Sequence, residues 1–271
     1  MEIFGVRLSK LDKAKFLDKL KNPSEQMKVF TPNPEILLTA KNDKSFLEIL
    51  NNGDYLIPDG IGIYAGFQIL ESKFPKLITF LMIPFYGLKL FTSRKSLYEK
   101  YGQRICGSDL TKELIVYANE KNLGVTIIDK YQAPGNKGDN LKIERQKITL
   151  GLLKQKYPNA NFHYYILKKG EEENIIKNIN ETDDIYLFST EGLKNQEITI
   201  NNIMPKLEKI KVAIGVGGSF DMILGFKKRA PKLFVNLGLE WLWRLIINPS
   251  RMIKRIWKAL PVFLWEVIKS K

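Results

Sequence analysis

The chain has 271 residues, with 43 Lys and Arg against 29 Asp and Glu, and the resulting formal charge of +14 makes an anionic partner the first expectation. At 44% hydrophobic and 27% charged, it is too apolar to remain disordered and long enough to enclose one large core or two small ones. One cysteine, Cys106, and one histidine, His163, exclude a disulfide framework, multi-cysteine zinc sites and paired-imidazole chemistry, so carboxylates, hydroxyls, amides and cations are left to carry any reaction.

The N-terminal MEIFGVRLSK lacks the basic-then-apolar pattern of a secretion signal, which predicts a cytosolic chain. Strand-like runs then occur at 27–31, 55–58, 124–128, 161–166, 184–188 and 211–215, separated by longer helical patterns. Pro34 opens one such pattern through Ile36, Leu37, Ala40, Leu47 and Leu50, and Ser108 is placed to cap another carrying Leu110, Leu114, Ile115 and Ala118. This alternation predicts an α/β fold over residues 1–226, a Rossmann-like, mostly parallel sheet covered by helices. The longest apolar stretch, 77–88, has 12 residues with a proline inside, well short of the roughly 20 needed to cross a bilayer.

Residues 227–271 have a different composition. They hold eleven Lys and Arg against Glu240 and Glu266, and all four tryptophans. A helix there would align Arg244, Arg251, Arg255 and Lys258 in one stripe, with Ile253, Ile256, Trp257, Leu260 and Leu264 on other faces and interruptions at Pro249 and Pro261. Two readings stay open: a basic amphipathic appendage lying on an anionic membrane surface, and a helix packed on the core with solvated charges. The bulky apolar spacing argues against nucleic acid as the partner.

Ligands of such sheets sit at the carboxyl ends of the strands. Thr31-Pro32-Asn33-Pro34 follows the first run and offers either a capping turn or polar groups for a ligand. Asp59, in Pro58-Asp59-Gly60, can cap the next helix or accept a proton from a substrate hydroxyl. Arg104 precedes another helix start, where a fixed cation and free N–H groups favour anions. The Gly215-Val216-Gly217-Gly218 loop can form an anion-binding nest, with Asp221 as acceptor for a base or ribose.

In this order, with Gly192-x-x-x-Gln196-Glu197, Arg229-Ala230-Pro231 and Gly238-Leu239-Glu240-Trp241-Leu242-x-Arg244-Leu245 added, the motifs resemble the TagA/WecG/CpsF family of bacterial cell-envelope glycosyltransferases, from Gly5 to about Leu264. The resemblance implies an inverting transferase that moves N-acetylmannosamine or a related sugar from a UDP-sugar to a polyprenyl-diphosphate-linked sugar, without metal or further cofactor, in teichoic acid or other cell-envelope polysaccharide synthesis. It implies a peripheral enzyme on the cytoplasmic face of the membrane, with homo-oligomers possible. Asp59 is then similar to the family's general base, and Thr31 and Asn33 to polar groups around the transferred sugar. Arg104 and Gln196 match pocket positions, and Gly217, Gly218 and Asp221 match the nucleotide side. Arg244 and Arg251 match arginines closing over the diphosphate, with Lys254 and Arg255 near a further basic position.

Three departures accompany the resemblance. Asp129-Lys130 replaces a usual Gly-Gly pair, Lys194-Asn195 replaces a proline-lysine pair, and roughly 25 extra residues separate Asp59 from Arg104, around 72–98. The extra segment reads as a buried helical hairpin or as a membrane-dipping or dimerising element. The first two changes keep a second reading alive, a non-catalytic lipid-associated scaffold descended from such an enzyme.

Overall fold

The computed structural model describes residues 1–130, 139–168, 170–237 and 239–271, with the backbone alone at 139–144, 232, 236–237, 251 and 258–259. The expectations at 131–138 and at Gly238, and those for the side chains of Arg251 and Lys258, lie outside the described residues.

A small antiparallel pair, β1 (Glu2–Ile3) and β2 (Val6–Arg7), opens the chain. The pair turns through Phe4 and Gly5 at φ 54° and 81°, left-handed geometry that a glycine tolerates without strain. Then follow α1 (Lys13–Lys21), β3 (Met27–Phe30), α2 (Pro34–Asn42), α3 (Lys44–Asn51), β4 (Tyr55–Leu56), α4 (Ile61–Glu71), α5 (Lys76–Leu81), α6 (Ile83–Thr92) and α7 (Arg94–Tyr101). Next come α8 (Gly107–Lys121), β5 (Gly124–Lys130), α9 (Asp139–Lys156), β6 (Asn161–Leu167), α10 (Glu172–Asn180), β7 (Asp184–Ser189), α11 (Asn195–Ile203), β8 (Val212–Gly215) and α12 (Ser219–Ile223). The tail contains α13 (Lys232–Leu237), α14 (Glu240–Ile247), α15 (Pro249–Trp257), a π-type turn at 258–262 and α16 (Phe263–Ser270).

Strands β3 to β8 form one parallel sheet in the order β4-β3-β8-β7-β5-β6. All six coincide with the strand-like runs of the sequence. Side chains alternate between two buried cores, one on each face: Met27, Val29, Val125, Ile127, Val212 and Ile214 on one side, and Phe30, Ile128, Leu187 and Ala213 on the other. Burial on both faces explains why these runs read as nearly continuous apolar stretches.

Two local expectations change. The pattern opened by Pro34 is two helices, because the Asp43 carboxylate accepts the Phe46 N–H at 3.1 Å and starts α3 afresh. Ser108 does not cap α8: it lies within the first turn, its hydroxyl against the Cys106 sulfur at 3.1 Å, and Cys106 holds the capping position.

The tail divides. Helix α16 belongs to the core, with Phe263 and Val267 fully buried against α4 and the N-terminal pair. Gly66 of α4 makes room: a β-carbon there would stand 3.2 Å from both Phe263 and Ile3. Proline 261 falls inside the π-type turn, where its missing N–H interrupts the helix before α16. Helices α14 and α15 instead lie over the carboxyl edge of β3 and β4.

The segment around 72–98 is only half buried, with Thr79, Tyr86, Leu90 and Leu97 against the core. It is a helix bent at Met82, continued as α6 with Pro84 in its first turn, and it keeps a row of large apolar side chains in solvent. No helix among the described residues is long and apolar enough to cross a membrane.

Candidate active site

The carboxyl ends of β4 and β3 are tied together. The Asp59 N–H donates to the Pro32 carbonyl at 2.8 Å, extending the parallel ladder past both strands. Asn33 caps α2, its Oδ1 accepting from Glu35 and Ile36 N–H at 2.9 and 3.0 Å, with Pro34 pre-set in the first turn. Thr31 is buried and donates its hydroxyl to the Gly215 carbonyl at 3.2 Å, linking this turn to the end of β8.

Asp59 does not cap α4. Gly60 occupies that position at φ 115°, and no side chain satisfies the first N–H groups of the helix. Those groups open on a cavity of about 160 Å³ lined by Asn33, Asp59, Gly60, Arg104, Arg244 and Arg255, among others. An uncapped helix start carries partial positive charge, so the cavity joins three guanidinium groups to a helix N-terminus. No donor among the described residues reaches the Asp59 carboxylate. Burial pushes its pKa above the ordinary aspartate value of 3.8, with Arg104 and Arg244 opposing and Glu240 reinforcing the rise. A carboxylate without partners, raised in pKa and sharing a cleft with Arg244 and the ion-paired Arg104 and Arg255, is equipped to receive a proton.

Arg104 is held from the tail. Its Nη2 donates to Glu240 at 2.7 Å and its Nη1 to the Val235 carbonyl at 3.2 Å, while its Nε is buried without a partner. Both charged side chains of this pair are nearly nine-tenths buried, so removal of either would strand the other. Arg255 pairs with Glu35 at 3.1 Å and fastens α15 to the start of α2. Glu240 went unassigned in the sequence, although a lone acid inside the most specific stretch of a strongly basic tail was a usable signal. The burial that raises Asp59 also pushes the Cys106 thiol up to about 11, and Cys106 serves as packing beside Glu240.

Gln196, Gly217, Gly218 and Asp221 are absent from that cavity's lining and gather farther along the sheet edge, at β8 and β7. The Gln196 amide is buried; its Nε2 donates to Glu197 at 2.8 Å and its Oε1 accepts the Gly217 N–H at 3.0 Å. Val216 N–H donates to the Ser189 carbonyl at 2.9 Å and Ser219 N–H to the Val216 carbonyl at 3.1 Å. Within the expected nest, only the Gly218 N–H lacks a partner among the described residues, so the loop is a braced turn more than an open cradle. Asp221 is buried between Arg145 and Lys227. Lys254 is exposed and lines no part of the cavity.

The two departures near β5 and α11 touch each other. Lys130 donates to the Asn195 side chain at 3.4 Å, and Lys194 pairs with Asp43 at 2.6 Å. Among the described residues, no group of three or more His, Cys, Asp or Glu side chains is placed to hold a metal ion.

A protein from Staphylococcus aureus strain MRSA252, named N-acetylglucosaminyldiphosphoundecaprenol N-acetyl-beta-D-mannosaminyltransferase, is 26% identical over 277 aligned residues, covering all of this chain and 93% of its own. A Bacillus subtilis strain 168 protein of the same name is 28% identical over 244 residues, covering 90% of this chain and 79% of its own. The sequence model of the glycosyl transferase WecG/TagA/CpsF family matches residues 1–83 and 86–271. With a match of that extent, the chain belongs to the WecG/TagA/CpsF family of glycosyl transferases.

Proposed function

We propose that this glycosyltransferase moves N-acetylmannosamine from its UDP derivative to the N-acetylglucosamine of a polyprenyl-diphosphate-linked acceptor, with inversion, at a membrane surface. The observation that carries this reading is the unpartnered Asp59 carboxylate in one cavity with Arg104, Arg244 and Arg255.

A β-linked product from an α-linked donor requires in-line attack by the acceptor hydroxyl on the anomeric carbon. The new C–O bond forms as the bond to UDP breaks; the hydroxyl proton passes to Asp59, and UDP departs with the bonding electron pair. Negative charge grows on the diphosphate, and guanidinium groups beside an uncapped helix start are suited to stabilise it without reorganising. The start of α4, Arg244 and Arg255 line the same cleft, and Glu240 holds Arg104 in its wall. Gln196, Gly217, Gly218 and Asp221 fit a supporting role on the nucleotide side.

A lipid-linked acceptor places the reaction at the bilayer surface, and the basic tail suits contact with anionic headgroups. Incubation with a panel of UDP-sugars and a short-chain lipid-diphosphate N-acetylglucosamine acceptor, read by mass spectrometry, tests the assignment. The expected product gains one N-acetylhexosamine from the manno donor. No transfer from any UDP-sugar would overturn the reading.

A further inference from the structure

The solvent side of the bent helix formed by α5 and α6 has the wrong chemistry for solvent. Leu77, Leu81, Phe85, Leu88 and Phe91, spaced 4, 4, 3 and 3, form one stripe that continues through the bend at Met82, with Phe74 exposed just ahead of α5. Leu77, Leu81 and Leu88 are 73%, 68% and 58% exposed. The opposite stripe, Thr79, Tyr86 and Leu90, is the one that is buried. Amphipathic surface helices reverse this: their outer stripe is polar.

Cations surround the apolar stripe. Residues 72–98 carry Lys73, Lys76, Lys89, Arg94 and Lys95 and no acid. The segment is also anchored from behind. Helix α6 packs on α4, Phe80 meets Trp265 edge-on at 5.7 Å, Lys76 donates to the Lys269 carbonyl at 2.8 Å, and Lys271 bonds the Phe74 carbonyl and the Thr79 hydroxyl. The stripe is therefore displayed by a braced element continuous with the end of the tail.

We propose that α5 and α6 form a second membrane-contacting element, lying in the plane of an anionic bilayer with the Leu77-to-Phe91 stripe in the acyl boundary and the flanking cations at the headgroups. The proposal rests on the reading that the acceptor is lipid-linked. Charge selects the occupant: a second copy docked stripe to stripe would bring five cations against five, whereas anionic lipid supplies the opposite sign. Length and bend select the mode. Seventeen residues interrupted at Met82 and Pro84 are too short to span and suited to lie flat, with apolar side chains reaching about 5–10 Å below the headgroups.

The test compares the full chain with its Leu77→Ser/Leu81→Ser/Leu88→Ser variant, changes confined to exposed side chains that leave the buried stripe intact. Co-sedimentation uses vesicles of phosphatidylglycerol with phosphatidylcholine, and vesicles of phosphatidylcholine alone. Wild type is expected to bind the anionic vesicles preferentially, and the variant to bind them at least roughly tenfold more weakly with an unchanged melting temperature. A fluorophore on Leu81→Cys should be quenched by acyl-brominated lipid. Equal vesicle binding by variant and wild type would overturn the proposal while leaving the tail as the membrane contact. Loss of self-association in the variant, without loss of vesicle binding, would overturn it in favour of a second copy. Failure of wild type to bind any vesicle would overturn both the element and the membrane reading, whereas sugar transfer to a water-soluble acceptor would still report on the transferase assignment.

Discussion

The two halves of the sheet's carboxyl edge use their polar groups in opposite ways. At β8 and β7, the Gln196 amide, the Gly217 N–H and the Asp221 carboxylate are already satisfied inside the protein. At β4 and β3, the Asp59 carboxylate and the Ile61 and Gly62 N–H groups that start α4 have no protein partner among the described residues and lie at the cavity. Satisfied polar groups hold a shape; unsatisfied ones store the capacity to react. The first half reads as scaffold and the second as chemistry, at a cost in stability that the fold bears locally.

The sharpest way to break this division is Asp59→Asn. Transfer should fall by about 10³-fold or more, with UDP affinity by calorimetry little changed. Stability should move the other way. A raised carboxylate pKa means the folded state binds the extra proton, so stability falls as pH climbs from 3.8 through the folded value, and the deficit persists above it. Asp59→Asn should therefore melt no lower than wild type at neutral pH. A lower melting temperature would place Asp59 among the structural groups.

Glu240→Gln strands the Arg104 charge in a nearly dry site and should cost about 3–5 kcal/mol, read as a lower melting temperature and faster proteolysis of α13 and α14. The same variant sharpens the electrostatic argument. Activity should rise with pH as Asp59 loses its proton, and because Glu240 raises that pKa, the midpoint should shift downward in Glu240→Gln. Arg104 lowers it, so Arg104→Gln should shift the midpoint upward. A purely structural role for the pair would leave the midpoint in place.

On the scaffold side, Gly215→Ala would place a β-carbon 2.9 Å from the Gln196 amide and should destabilise by about 1–3 kcal/mol, with loss of UDP affinity following from the displaced loop. The smallest effect belongs to Lys254→Gln. It lines no part of the cavity, and transfer to a water-soluble acceptor should change less than about threefold.

Much of this was legible beforehand, for identifiable reasons. Strands buried on both faces announce themselves as apolar β-branched runs, so all six were visible. Asp59 was legible as a choice between cap and base, and Gly60, by occupying the cap, removes the first of the two. The break between α2 and α3 was hidden because Asp43 looks like any polar residue until its carboxylate is seen on Phe46. The partner of Glu240 was hidden for a different reason: Arg104 lies 136 residues earlier in the chain, beyond the reach of any local pattern. The bracing of the glycine loop was not legible, because glycines mark backbone freedom and not whether the N–H groups are already occupied.

Helix α16 has a consequence for how the molecule is made. Its buried Phe263 and Val267 complete a core begun by Ile3 and Val6, so segments some 260 residues apart in sequence finish the same packing. The preceding residues can form their parallel sheet during synthesis, yet the apolar face of α4 stays open until α16 has been made and docks. A message cut short before codon 263 would yield a chain with that face exposed, a natural mark for chaperones and proteases.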